Sequence, residues 1–171
     1  MGIDLGIVLI VEDDTTAQQR LARLLAELAG KHVHVSFVAS ISAAKAWLAS
    51  SKPDVVLIDI RLPDGSGIEL IAWLHEHHPR IATVAISAWG EQTTVLAALR
   101  AGAVGYLLKE RKDAELSLAL QSIRRGGALI DPFVARRILE SLPLDTVRPK
   151  FRHAPHHSSG ALSKREAEIL R

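Results

Sequence analysis

Val55-Val56-Leu57-Ile58-Asp59-Ile60-Arg61-Leu62-Pro63-Asp64-Gly65-Ser66-Gly67 is the stretch that decides the fold. It opens with four consecutive apolar residues, rich in valine, that close on a carboxylate. Such a short unbroken run suits a strand buried on both faces, as in a parallel sheet covered by helices. Ser66 with Glu69 three residues on forms a capping-box pattern, which opens a helix carrying Ile68, Ile71 and Leu74. Working outward, four more near-continuous apolar runs appear at Ile7–Val11, Val33–Val38, Ala82–Ile86 and Val104–Leu108. Helical patterns separate them. Thr15 and Gln18 form a second capping box before Leu21, Leu24, Leu25 and Leu28, with a stop at Gly30; Trp47 falls on a second helical segment, and further helices start near Glu91 and Lys112. Five strands alternating with helices predict an α/β class, a flavodoxin-like doubly wound five-stranded parallel sheet of order 2-1-3-4-5 with flanking helices.

The chain has 171 residues, enough for one well-buried domain and an appendage. It has no cysteine, so no disulfide framework or thiolate chemistry enters. No segment approaches the roughly 18 apolar residues of a membrane helix, and the start, Met-Gly-Ile-Asp-Leu-Gly, has no basic leader pattern. A cytoplasmic protein without membrane contact is expected. Residues 136–171 hold eight Lys or Arg and four Asp or Glu, against 13 and 15 in residues 1–135. This gives a mildly acidic body and a basic tail, which serves equally as a solvated linker or as an approach to DNA.

In a doubly wound sheet, ligands bind outside the carboxyl ends of the strands. The predicted strands end on Glu12-Asp13-Asp14, Asp59, Ser87 and Lys109, so carboxylates far apart in sequence should meet in one crevice. Crowded carboxylates repel and recruit a hard cation, and oxygen ligands with room for water suit Mg²⁺. Asp14 reads instead as a helix N-terminal acid. The groups His75/His77/His78 and His153/His156/His157 lack cysteine or carboxylate support for a closed metal site.

Taken in order, Val-Leu-Ile-Val-Glu12-Asp13-Asp14, Leu-Ile-Asp59-Ile-Arg61-Leu-Pro63-Asp64-Gly65-Ser-Gly67, Ser87-Ala88 and Gly105-Tyr106-Leu-Leu-Lys109 closely resemble the receiver domains of two-component response regulators. The resemblance covers residues 7 to about 125. It implies that Asp59 is the phosphoacceptor, that Asp13 and Asp59 bind Mg²⁺ directly with the Arg61 backbone carbonyl, and that Glu12 acts through metal-bound water. Lys109 would neutralise one phosphoryl oxygen, while the Ser87 hydroxyl and the Ala88 N–H would donate to another. Movement of Ser87 toward the new charge would then let Tyr106 turn inward, a two-state switch. The chain would catalyse only its own phosphorylation and dephosphorylation, with a sensor histidine kinase as donor and a homodimer forming on phosphorylation. One departure is Glu110 after Lys109, where receivers often have proline in a cis peptide.

The predicted domain plan is a receiver over 1–126, an additional helix over 127–142, a linker over 143–161 and the start of a helix-turn-helix over 162–171. Asp131-Pro132 caps the added helix, with Val134, Ile138 and Leu139 on one side, and residues 143–161 lack periodicity. Ser163 and Glu166 form a last capping box. Residues from Ser122 on, with Leu162–Arg171, resemble transcription regulators of the nitrate-response type, whose helix-turn-helix is of the quorum-regulator type. A recognition helix needs more than the nine residues after Leu162, so DNA is an expected partner only through the missing part of that unit. A stand-alone receiver acting by protein contact is the alternative. A phosphatase of the haloacid dehalogenase type would need a second Asp two residues after Asp59, where Arg61 stands. Trp89, two residues past Ser87, should lie at the mouth of the site.

Overall fold

The computed structural model describes residues 5–141 apart from 128 and 131. The linker and helix-turn-helix start expected over 143–171, and the cap expected at Asp131, lie outside the described residues. We label the strands β1 (Ile7–Val11), β2 (His34–Val38), β3 (Val55–Asp59), β4 (Ala82–Ser87), β5 (Gly105–Leu108) and β6 (Leu129–Ile130). The helices are α1 (Thr15–Ala29), α2 (Ile41–Leu48), α3 (Gly67–His77), α4 (Gln92–Arg100), α5 (Asp113–Arg124) and α6 (Pro132–Ser141). Within the six-stranded sheet all neighbouring strands run parallel in the order β2-β1-β3-β4-β5-β6, and a separate short antiparallel ladder pairs Arg61–Leu62 with Gly65–Ser66. The five expected strands stand in the expected 2-1-3-4-5 order, with a short sixth added beyond β5.

The near-continuous apolar runs of β1, β3, β4 and β5 follow from burial on both sheet faces, whereas the edge strand β2 is only partly buried. Because successive strand side chains point to opposite faces, Leu9, Val56, Ile58 and Ala85 pack with α2, α3 and α4, while Val8, Ile10, Leu57 and Val84 pack with α1 and α5. Leu70, Ile71 and Leu74 of α3 and Leu24 and Leu25 of α1 are the helical halves of these cores. Burying each such side chain contributes about 1.5–3 kcal/mol.

Two local expectations are corrected. Asp14, one residue before Thr15, caps α1 by accepting from the Thr16 N–H at 2.8 Å. Gln18 does not close a capping box; its amide donates to the Glu12 carbonyl at 2.6 Å and ties α1 to the end of β1. A 3-10 turn over Gly30–His32 follows Gly30, whose φ is +68°, so β2 starts at His34 rather than Val33. The additional helix is preceded by β6, which pairs Gly105 with Leu129 and Tyr106 with Ile130, and Ile138 of α6 packs against the core containing Tyr106. No described helix is long and apolar enough to cross a membrane.

Candidate functional site

Parallel strands in register bring their carboxyl ends to one edge. Glu12 and Asp13 follow β1, Asp59 is the last residue of β3 and Ser87 the last of β4, and Lys109 follows β5. Backbone bonds hold these ends together: the Glu12 N–H donates to Val38 O at 2.9 Å, that of Ile60 to Ile86 O at 3.0 Å, and that of Lys109 to Ser87 O at 2.8 Å. Glu12, Asp59 and Ser87 are buried polar groups, whereas Asp13 is exposed at the mouth.

Lys109 is the centre of the electrostatics. Its Nζ lies 2.8 Å from Asp59 Oδ2 and 2.5 Å from Glu12 Oε2. Burial opposes its positive charge, but the contacts with the Asp59 and Glu12 carboxylates outweigh that and raise its pKa. Burial also raises the pKa of Glu12, against the pull of Lys109 and of the Asp14 N–H that donates to Oε1 at 3.1 Å. Asp59 Oδ1 accepts from the Arg61 N–H at 3.2 Å.

The donor set fits a hard cation. Glu12, Asp13 and Asp59 can each bring one carboxylate oxygen within 4.8 Å of the others, the one such group among the described residues. Among the described residues the buried Glu12 Oε2 accepts no hydrogen bond of ordinary geometry, and it faces the Lys109 ammonium. Oxygen-only ligands, one of them open to solvent, leave space for coordinated water.

Tyr106 lies wholly inside the protein, and its hydroxyl donates to the Trp89 carbonyl at 2.8 Å. Burial raises its pKa, partly offset by the neighbouring Ser87. The inward position expected to follow phosphorylation is thus already occupied, because a backbone carbonyl of the β4–α4 loop satisfies the hydroxyl there. Ser87 Oγ accepts from the Trp89 N–H at 3.1 Å. The Trp89 ring is 59% exposed and lies 5.7 Å from the Arg61 guanidinium, lining with Ile60, Ser87, Glu91 and Thr94 a cleft of about 310 Å³ beside Asp59. No cis peptide occurs among the described residues, so the Lys109–Glu110 bond is trans.

The sequence reading missed three supports of the site. Gly67 packs so closely under β3 that a Cβ there would lie 2.0 Å from the Asp59 carbonyl oxygen. Asp64 caps α2 from a distance, accepting from the Ile41 and Ser42 N–H groups at 2.8 and 2.9 Å, and those bonds hold its pKa down. Arg20 of α1 binds the loop after Lys109. Gly67 stood inside the quoted motif, but Arg20 carries no local signal, since its partners lie some 90 residues away. The histidines of α3 have other work: His75 packs on Gly102, and His77 stacks on Trp73 at 4.9 Å while its Nδ1 bonds the Trp73 carbonyl. His153, His156 and His157 lie outside the described residues.

A parallel sheet whose first five strands gather acids and a lysine at their carboxyl ends defines a receiver-type α/β domain. Residues 8–121 match the response regulator receiver domain, and the chain belongs to that family. Its members are the receivers of two-component response regulators, whose general role is phosphorylation-dependent switching of regulators of transcription. The chain is similar to the DNA-binding transcriptional activator DevR/DosR of Mycobacterium tuberculosis, 32% identical over 135 residues that cover 79% of this chain and 62% of that protein. It is equally similar to the response regulator GacA of Pseudomonas viridiflava, 32% identical over 162 residues covering 95% and 72%. The chain therefore spans about two thirds of the length of these relatives. A LuxR-family two-component response regulator from Aurantimonas sp. SI85-9A1 shares the fold with a TM-score of 0.72 at 26% identity, covering 80% of this chain and 97% of the other.

Proposed function

We propose that Asp59 accepts a phosphoryl group from a sensor histidine kinase and that Mg²⁺ held by Asp13, Asp59, the Arg61 carbonyl and, through water, Glu12 assists the transfer. The observation that carries this reading is the contact of one lysine with two acids of the strand-end cluster, Lys109 with Asp59 at 2.8 Å and Glu12 at 2.5 Å. Phosphoryl transfer demands little of a protein beyond in-line positioning and neutralisation of the equatorial oxygens. An Asp59 carboxylate oxygen attacks phosphorus, the bond from phosphorus to the donor nitrogen or oxygen breaks, and its electron pair leaves with the donor. When bound, the cation supplies positive charge to the incoming phosphoryl oxygens. Lys109 neutralises a second oxygen, and the Ser87 hydroxyl with the Ala88 N–H donates to a third. Ser87 gives up its bond from the Trp89 N–H to do so, and Tyr106, held on the Trp89 carbonyl, registers the shift of that loop. Water hydrolyses the aspartyl phosphate, restoring the Asp59 carboxylate and releasing inorganic phosphate, so self-phosphorylation and self-dephosphorylation are the only catalysis assigned.

The same proposal places the protein in the cytoplasm and gives it a homodimer on phosphorylation. It keeps the domain plan of a receiver over 1–126, a helix over 127–142, a linker over 143–161 and a helix-turn-helix beginning at 162, with DNA contacted through the remainder of that unit. DevR/DosR, named a DNA-binding activator, supports this, since the chain spans 62% of its length. The test is labelling with radioactive acetyl phosphate. Incorporation should require Mg²⁺, stop with EDTA and be released by hydroxylamine, as for an acyl phosphate; labelling that survives EDTA or hydroxylamine overturns the assignment.

A further inference from the structure

The loop from β5 to α5 presents Lys109 to the acids on one side and is fastened from the other side by α1. Arg20 Nη1 donates to the Lys109 carbonyl at 2.6 Å, Nη2 to the Arg111 carbonyl at 2.5 Å and Nε to Asp113 Oδ1 at 2.7 Å. One planar guanidinium thus engages three acceptors along five residues, using the fixed fork that lysine lacks. Arg23 takes the other Asp113 oxygen, and Arg23 and Arg20 together hold the Asp113 carboxyl below its usual range.

The consequence concerns the backbone of Lys109 itself. Its N–H is fixed on Ser87 O at 2.8 Å and its carbonyl on Arg20 at 2.6 Å, so both polar groups of the residue are tied before the side chain reaches out. From that anchored Cα the ammonium meets Asp59 and Glu12. Without Arg20, the carbonyls of Lys109 and Arg111 lose their shared donor, and the loop loses the tie that joins its two halves to α1. The Arg20 guanidinium bonds none of the three carboxylates of the cluster, so its effect passes through the loop that carries Lys109.

We propose that Arg20 is a positioning residue for phosphoryl transfer, holding the 109–113 loop so that the Lys109 ammonium stays on Asp59. The inference rests on the reading of Asp59 and Lys109 given above. A simple staple between α1 and α5 would instead support stability alone, leaving Lys109 indifferent. Initial rates of acetyl phosphate labelling at saturating Mg²⁺ separate the two. Arg20→Ala should label about 10-fold more slowly, the scale of a small misplacement of a reacting group. Arg20→Lys should not restore the rate, because an ammonium cannot reach both carbonyls with the guanidinium's fork. In a Lys109→Ala background, Arg20→Ala should cause no further loss, because the lysine it positions is gone. Hydrogen exchange should show residues 109–113 opening in Arg20→Ala while β3 keeps its protection. A wild-type rate in Arg20→Ala, or an equal loss in both backgrounds, overturns the inference. If the wild-type protein itself takes no label, the Asp59 reading fails, and unchanged exchange over 109–113 would independently remove Arg20 from its role.

Discussion

Asp54 and Asp59 flank the same strand, one at each end of β3, and differ in everything but chemistry. Asp54 Oδ2 accepts from the Ile7 N–H at 2.8 Å, its own N–H donates to Ile7 O at 2.8 Å, and its carbonyl accepts from Ala82 at 3.1 Å. It is a clip joining the starts of β1, β3 and β4, with apolar Ile7 and Ala82 as neighbours. Asp59 meets Lys109, Glu12 and Asp13 instead. An aspartate at a strand end is therefore no site by itself; what the adjacent strands deliver to that edge makes it one.

The sharpest way to break this contrast is to neutralise both ends. Asp59→Asn should abolish phosphate incorporation from acetyl phosphate, as read by intact mass, while Asp54→Asn should label at the wild-type rate and lose about 1 kcal/mol of stability as its hydrogen bond from the Ile7 N–H changes from charged to neutral. Loss of labelling in Asp54→Asn would erase the distinction. Next in size is the response to Mg²⁺. At 100 times its dissociation constant, a cation bound only by the folded state stabilises it by about 2.7 kcal/mol. Thermal melts should show that gain in the wild type and lose most of it in Asp13→Ala; an equal gain in both would place the cation elsewhere.

Gly67→Ala tests the floor beneath Asp59. With a Cβ 2.0 Å from the Asp59 carbonyl, the backbone must move, so a cost of about 1–3 kcal/mol and slower labelling are expected together. Denaturant titration and labelling rates on one sample check both. The smallest effect is optical. Trp89 is exposed beside Ser87 and Arg61, while Trp47 and Trp73 pack against the core, so beryllofluoride added after Mg²⁺ should change emission mainly through Trp89. A change of the same size in Trp89→Phe would mean that the cleft beside Asp59 does not report the phosphoryl position.

The fold was legible because β3, β4 and β5 are buried throughout and β1 nearly so, which leaves near-continuous apolar runs, while the half-buried edge strand β2 still showed through its valines and phenylalanine. The strand β6 left none, since two residues supported by a neighbour carry no period, and only the helix after it could be read. Asp14 displaced Thr15 as the cap of α1, in keeping with the stronger preference for aspartate at that position. Among site residues, those at strand ends could be read because topology alone brings them together. Arg20 could not, because an arginine between apolar helix positions looks like any solvated one until the loop some 90 residues later is seen against it. The inward Tyr106 was also hidden, since its place depends on a backbone carbonyl rather than on any side chain.

The pairing of β6 with β5 bears on where the chain tolerates being cut. A protein shortened to residue 126, where the long apolar runs and their helices stop, would strip Leu129 and Ile130 from Gly105 and Tyr106 and turn β5 into an open edge. Unpaired strand edges invite association between molecules. The same cut would remove Ile138 from the core around Tyr106. A soluble, monomeric fragment for biophysical work should therefore run through Ser141, and the shorter one should show itself first by aggregation during purification.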